Sequence, residues 1–219
     1  MDSAFALFLF AILAVFASAI WKRRTQLARE RFIDQFDYAR LIDARLAMKH
    51  PELDPNQRKT LYRGLAEYMQ LCRMAGKRHM VSMPSQAVDD AWHEFILFTR
   101  NYESFCQRAL GRFLHHIPAE AMHTPTQAQD GIKRAWRLAC QREGINPKRP
   151  QRLPMLFSID RDLGIRNGFY YVPDCTSQIR RADTTGTVYC GSHVGCGGGC
   201  SGSSDSGGDG GGGCGGGGD

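Results

Sequence analysis

Residues 87–118 read AVDDAWHEFILFTRNYESFCQRALGRFLHHIP, and this stretch decides how the middle of the chain folds. Its apolar residues recur with the 3.6-residue period of an amphipathic helix, on a stripe that includes Trp92, Tyr102 and Cys106. Ser85 is suited to cap the start of this helix, and Gly111 is suited to end it. The pattern therefore predicts one long helix whose apolar stripe packs into a core, with Cys106 as a buried thiol.

A second, polar edge of the same stretch carries the residues that are suited to chemistry. His93 follows Asp89 by one helical turn, so the carboxylate can orient the imidazole. The turn after the helix can bring His115 or His116 back beside this pair. We therefore take Asp89, His93, His115 and His116 as candidate residues for a borderline metal ion or for proton transfer. The alternative is a surface pair of Asp89 and His93, with the later histidines capping backbone carbonyls.

Three further segments also have helical patterns. Apolar spacing predicts helices over 22–48, 55–76 and 126–144, and a shorter helical or extended piece follows within 157–175. The first ends at His50-Pro51, because proline disfavours the helical conformation of the preceding residue. The chain is thus predicted to be all-α, with a small domain of about four helices.

The N-terminal segment has the composition of a membrane anchor. Residues 3–20 hold no charge, which is close to the length that spans a bilayer, and Lys22-Arg23-Arg24 follow at once. Basic residues after the span predict a cytoplasmic C-terminal domain in an inner or plasma membrane. The alternative is a secretory signal cleaved after Ala17-Ser18-Ala19. A signal carries its positive charge before the apolar run, where Asp2 is the only charged side chain, so the anchor is favoured.

The C-terminal segment is rich in glycine and cysteine. Most of the 24 glycines follow Gly186, and such a segment cannot bury enough apolar surface to order itself. Cys190, His193, Cys196 and Cys200 offer four soft or borderline ligands, which are suited to zinc or an iron–sulfur cluster. The alternative is a flexible tail with free or modified thiols. A disulfide framework is disfavoured because the cytoplasm keeps thiols reduced.

The charge of the chain is concentrated before the tail. All 28 Lys and Arg lie between residues 22 and 181 and outnumber the 22 Asp and Glu of the whole chain. A basic body beside a membrane predicts attraction to anionic lipid headgroups. Nucleic acid is the other polyanion to consider, but the basic residues are scattered and form no familiar nucleic-acid motif.

A known family shares several residues of the central stretch. The order of Trp92-His93, Tyr102-x-x-Phe105-Cys106 and His115-His116-x-Pro118 resembles the glycine-rich-domain-containing-protein-like family over about residues 30–150. In that family the first motif is usually Trp-His-x-His, and here Phe95 stands in place of the second histidine. The resemblance implies that a metal site built on both histidines is impaired, and it implies no established enzyme activity. For plant relatives it implies a proposed association with RNA.

These observations together predict four regions and a function. The regions are a transmembrane anchor (1–21), a helical domain (22–150), a connector with a short apolar segment (151–185) and a disordered Gly/Cys-rich tail (186–219). The expected function is that of a membrane-tethered interaction or scaffold protein with a protein partner and a metal-binding tail. The alternatives are a metal-dependent or acid–base enzyme that uses the four candidate residues of the central stretch, and a nucleic-acid-associated protein.

Overall fold

The computed structural model describes the backbone of residues 3–117, 125–173 and 188–190, and the side chains of residues 8–117 and 128–173. The described chain is mostly helical, as predicted, with one small pair of strands. The elements are α1 (Ser3–Asp34), α2 (Tyr38–Lys49), α3 (Pro55–Ala75), α4 (Gln86–Ile96), α5 (Thr99–Leu110), α6 (Pro125–Glu143), α7 (Met155–Asp162), β1 (Tyr170–Val172) and β2 (Val188–Cys190).

Helix α3 lies at the centre of the fold and contacts each of the other six helices. It begins after Asp54, whose side chain and that of Gln57 form a capping box. The glycine at position 64 lets two neighbours approach its backbone, since a Cβ there would lie 2.8 Å from side-chain carbons of Val88 and Ile159. Helices α4 and α7 therefore pack directly onto α3.

The predicted helix over 22–48 is in fact two helices. Helix α1 continues without a break from the apolar N-terminal segment and ends at Asp34, and α2 begins after Asp37, whose side chain accepts a hydrogen bond from the backbone N of Arg40 at 3.1 Å. The break turns the ring of Phe36 into the core, where its centroid lies 4.8 Å from that of Phe105 and 5.5 Å from that of Phe95. Burial of this aromatic ring favours the break over a continuous helix.

The predicted single helix over 86–110 is also wrong. The chain bends at Leu97 and Phe98, between α4 and α5, and Nε1 of Trp92 donates a hydrogen bond to the hydroxyl of Tyr102 at 3.1 Å. Ten residues of a straight helix would separate these positions by about 15 Å along its axis. Folding the stretch back on itself buries the apolar stripes of both halves against the same core.

Residues after 150 continue this core. Leu156 and Ile159 are buried, and the ring of Phe157 lies between those of Trp136 and Tyr171, at centroid distances of 5.1 and 4.9 Å. Strand β1 follows and pairs in parallel with β2. Residues 188–190 are thus an exception to the predicted disordered tail, and their sequence, Val-Tyr-Cys, has β-forming side chains that the glycine run lacks. Residues 191–219 lie outside the described part of the chain.

The N-terminal half of α1 exposes apolar side chains. Between 41% and 73% of the surface of each of these residues is exposed: Phe8, Leu9, Phe10, Ile12, Leu13, Val15, Phe16, Ile20 and Trp21. Within the residues that the structure describes, no helix reaches the length and apolarity that a membrane crossing requires. The predicted span over 1–21 is therefore not supported, and its first two residues and the side chains of residues 3–7 lie outside the described part.

The carboxylate of Asp160, at the end of α7, holds the start of α4. Its Oδ1 accepts hydrogen bonds from the hydroxyl of Ser85 at 2.6 Å and from the backbone N of Ala87 at 3.2 Å, and its Oδ2 accepts from the backbone N of Gln86 and of Phe169, both at 2.8 Å. Asp160 is only 1% exposed. Because the first N–H groups of a helix have no partner within it, this carboxylate replaces the missing partners and lies at the positive end of the helix dipole.

Replacing Asp160 with alanine should therefore destabilise the protein severely. Asp160→Ala leaves its four donors without their acceptor, and we expect a loss of about 3–5 kcal/mol in the free energy of unfolding. Chemical denaturation of the full chain measures this loss. Asp162→Ala, at an exposed carboxylate two residues on, is the matched control and should change stability by less than about 0.5 kcal/mol. Equal effects of the two substitutions would contradict the role of Asp160.

Candidate functional site

Helix α4 carries two of the candidate residues on its solvent-facing edge. Asp89 lies in the first turn and His93 in the last, while Val88, Ala91, Trp92 and Phe95 face the core. Ser85 caps the helix, as predicted, and accepts a hydrogen bond from the backbone N of Val88 at 3.1 Å. The edge that holds Asp89 and His93 is thus fixed by burial of the opposite side.

The segment after α5 lies opposite the edge of α4 that carries Asp89 and His93, and the two form the walls of the candidate site. Gly111 has a φ of 68°, a left-handed conformation that glycine adopts without steric cost, and the chain turns there. The hydroxyl of Tyr102 donates to the backbone O of Leu114 at 2.6 Å while it accepts from Trp92. This buried chain of hydrogen bonds holds the segment against α4, and His116 follows Leu114 by two residues. The edge of the His116 ring packs against Trp92, with centroids 4.7 Å apart.

Asp89, His93 and His116 converge on one point. Oδ1 of Asp89 lies 3.3 Å from Nε2 of His116, and Oδ2 lies 3.3 Å from Nδ1 of His93. The two imidazole centroids are 4.2 Å apart, and one possible ligand atom from each of the three residues lies within 4.8 Å of the others. Two ligands about 2.1 Å from one ion at a tetrahedral angle are about 3.4 Å apart, so the 3.3 Å between Oδ1 of Asp89 and Nε2 of His116 fits a shared ion, and His93 lies beside them.

The hydrogen bonds of the site define what each imidazole offers. Nδ1 of His93 lies 2.8 Å from the backbone O of Asp89. A carbonyl oxygen only accepts, so Nδ1 carries the proton and Nε2 has a free lone pair. A histidine that donates one N–H to a backbone carbonyl and keeps its other nitrogen free has the orientation typical of metal ligands. At His116, an ion would replace the proton that Nε2 shares with Asp89.

The structure separates the remaining predicted residues from this cluster. His115 lines the same cavity, but its ring packs against Phe113 at a centroid distance of 4.8 Å, and it forms no part of the three-residue group. Cys106 is buried as predicted, and burial raises the pKa of its thiol. Strand β2 ends at Cys190, but the side chain of Cys190 and all of His193, Cys196 and Cys200 lie outside the described residues. The metal site in the tail therefore stays a prediction.

A cavity of about 980 Å³ opens beside the cluster. Asp89, His93 and His116 line it together with apolar residues of its floor and cations of its rim. Cys72 also lines it, but burial raises the pKa of this thiol to about 12, so it remains protonated at neutral pH and is no nucleophile. The side chains of His93 and His116 are 44% and 17% exposed, which leaves one side of the cluster open to solvent.

Sequence reasoning missed the residues that hold the site in place. Tyr102 and Trp92 were assigned to an apolar stripe, and their polar atoms were overlooked, although buried Tyr hydroxyls and Trp N–H groups usually find partners. Asp160 was overlooked because its partners at the start of α4 lie more than seventy residues away in sequence. The only available signal was an aspartate that directly follows Ile159 in the short segment FSIDRDLGI.

Comparison with known proteins corrects the family assignment. Residues 28–194 match the model of a family described as UCP032817-like, whereas the expected resemblance to the glycine-rich-domain-containing-protein-like family was wrong. The shared residues Trp92, Tyr102, Phe105 and Cys106 are core positions, and aromatic residues at such spacings suit many helical cores. Phe95 is fully buried among aromatic rings, so a second histidine there would face the core and not the cluster. Neither a comparison with curated proteins nor one with solved structures found a match.

Tyr102→Phe tests whether the buried hydroxyl positions His116. We expect a loss of about 1–2 kcal/mol in stability, because the N–H of Trp92 and the carbonyl of Leu114 both lose their partner. We also expect the affinity for a divalent ion such as Zn²⁺ to fall roughly tenfold, because the segment that carries His116 loses its hydrogen bond at Leu114. Isothermal titration and chemical denaturation measure the two effects. Tyr170→Phe, which breaks a 2.8 Å bond to the backbone O of Ile165, is the control. Tyr170→Phe should lower stability without changing Zn²⁺ affinity. A loss of Zn²⁺ affinity equal to that of Tyr102→Phe would contradict the positioning role of Tyr102.

Proposed function

The chain belongs to the UCP032817-like family, and we propose that it is a metal-dependent enzyme whose divalent ion is held by Asp89, His93 and His116. The observation that carries the proposal is the convergence of two imidazoles and one carboxylate at the wall of a large cavity. Two histidines and one carboxylate form a ligand set used by zinc hydrolases and by non-haem iron enzymes. A borderline first-row ion suits these ligands better than calcium or magnesium, which prefer oxygen.

The number of ligands favours catalysis over a structural role. Structural zinc sites are closed by four protein ligands, whereas catalytic sites have three and leave a position for water or substrate. Among the residues that the structure describes, three supply the ligands, and the exposed side of His93 and the cavity leave a further position open there. An ion held there would lower the pKa of a bound water or polarise a substrate oxygen. The carboxylate oxygen of Asp89 that does not ligate the ion could accept the released proton.

We propose a second, separate property, membrane association through the N-terminal half of α1. The supporting observation is the set of exposed apolar side chains over residues 8–21, followed by Lys22, Arg23 and Arg24. Leaving this many apolar side chains in water costs free energy. A lipid surface can cover them without a complementary shape. The basic residues that follow favour the cytoplasmic side, where they meet anionic headgroups.

Metal titration of the full chain tests the enzyme proposal. The candidate cysteine ligands of the tail are removed by Cys190→Ser, Cys196→Ser and Cys200→Ser, and the protein is freed of metal with a chelator. Titration with Zn²⁺ should then show one ion per chain. His116→Ala should reduce the affinity by more than the roughly 10- to 100-fold loss caused by removing an outer partner, because a ligand itself is lost.

The neighbouring histidine supplies the matched control. His115→Ala removes an identical side chain one residue away, outside the cluster, and should leave the Zn²⁺ affinity unchanged. The proposal fails if the parent chain binds no ion, or if His116→Ala and His115→Ala bind it equally well. In that case Asp89, His93 and His116 form only a hydrogen-bonded cluster.

Charged substitutions in α1 test membrane association. Leu13→Arg with Phe16→Arg places two charges on this apolar surface and should shift the full chain from the pellet to the supernatant when it is sedimented with vesicles that contain anionic lipid. Leu97→Arg replaces a leucine that is 59% exposed on the helical body, and it should leave the protein in the pellet. Recovery of the unaltered chain in the supernatant would refute the proposal.

A further inference from the structure

The rim of the cavity beside Asp89, His93 and His116 carries three cations. Lys77 and Arg78 are exposed on the turn after α3, and Arg112 lies on the segment after α5. Nη2 of Arg112 donates to the backbone O of Gly76 at 3.1 Å, which fixes it beside the turn that carries the other two. Two segments distant in sequence thus bring their positive charges to one edge of the cavity.

These cations have no carboxylate partner in the described part of the chain. Six of the other arginines among the described residues have such a partner, for example Arg142 with Glu67 at 2.7 Å and Arg58 with Asp43 at 2.8 Å. Among the described residues that line the cavity, Asp89 is the only one with a carboxylate, and it already contacts both imidazoles of the metal cluster. The rim therefore has a surplus of positive charge, to which a bound divalent ion would add.

The floor of the same cavity is apolar. Val81 and Trp92 are almost fully buried, and Met80, Leu114 and Ile132 complete the lining around them. A volume of about 980 Å³ is at the upper end of the range for pockets that bind small organic molecules. One end of the cavity thus suits an oxyanion, and its floor suits a flat or aliphatic body.

From this arrangement we infer that the substrate is a phosphate monoester with an apolar body, whose phosphate lies against Lys77, Arg78 and Arg112. Three cations against one committed carboxylate match a dianion better than the single charge of a carboxylate. Arginine donates in a fork that fits phosphate oxygens, and lysine adds a point charge. The inference rests on the proposed function. With the phosphate at the rim, the apolar body would extend along the floor toward Asp89, His93 and His116, the residues that would hold the ion.

The test compares three small probes on the full chain, freed of metal with a chelator. Phenyl phosphate is a dianion, benzoate is a monoanion, and benzamide is an uncharged molecule of the shape of benzoate. Isothermal titration should show that phenyl phosphate binds at least about tenfold more tightly than benzamide, with benzoate in between. The preference should fall as salt is added, because the rim is exposed and its charges are screened.

Paired substitutions identify the residues that produce the preference for phenyl phosphate over benzamide. Lys77→Gln with Arg78→Gln should reduce phenyl phosphate binding by about tenfold or more, while benzamide binding stays unchanged. Lys148→Gln with Arg149→Gln removes an equally exposed Lys-Arg pair outside the cavity and should have no effect. The inference is overturned if phenyl phosphate does not bind, if benzamide or benzoate binds as tightly, or if the preference survives Lys77→Gln with Arg78→Gln.

This titration contains no metal, so its result does not depend on Zn²⁺ binding. The enzyme proposal and the proposed substrate class can therefore fail separately. Phosphate selectivity without Zn²⁺ binding would refute the enzyme proposal and leave an anion-binding cavity. Zn²⁺ binding that depends on His116, without phosphate selectivity, would refute only the substrate class.

Discussion

Burial of the Asp160 carboxylate is the constraint on which the geometry of the site depends. An ionised group that leaves water must be compensated, and here the compensation comes from the first N–H groups of α4, the hydroxyl of Ser85 and the start of β1. Three elements from different parts of the chain are thereby held at one point. A Cβ at position 168 would lie 2.6 Å from Cβ of Asp160, so glycine is needed beside it. The orientation of α4 follows, and with it that of Asp89 and His93.

The bend between α4 and α5 supplies the second half of the site. A straight helix would carry the segment after Gly111 away from Asp89, whereas the bend places Tyr102 against Trp92 and returns the chain to the start of α4. The hydroxyl of Tyr102 is buried, and this burial raises its pKa, so it remains a hydrogen-bond donor throughout the physiological range. Aromatic packing and one buried hydrogen-bond chain thus convert two amphipathic helices into the walls of a cavity.

Local signals in the sequence predicted much of the fold, and the failures share one physical cause. The start of α3 at Asp54-Pro55 and the ends at Gly76 and Gly111 follow from capping chemistry that involves a few neighbouring residues. The breaks at 35–37 and 97–98 carry no proline or glycine, because they are stabilised by packing of Phe36 and Tyr102 against distant rings. The apolar pattern of the sequence keeps its helical period across such breaks and therefore does not reveal them. The residues of the candidate site could be named from spacing, but only the fold distinguishes His116 from His115.

The adjacent carboxylates Asp89 and Asp90 show why only one side of α4 is suited to catalysis. Asp90 contacts Nε2 of His50 at 3.0 Å and Nζ of Lys49 at 2.8 Å, and Nδ1 of His50 contacts Glu52 at 2.9 Å. Both ring nitrogens of that histidine are therefore engaged by carboxylates, which leaves no free lone pair for an ion. At Asp89 the two histidines are bonded on one nitrogen each. The free Nε2 of His93 and the open cavity, more than the mere presence of histidine and aspartate, make that side of α4 suitable for chemistry.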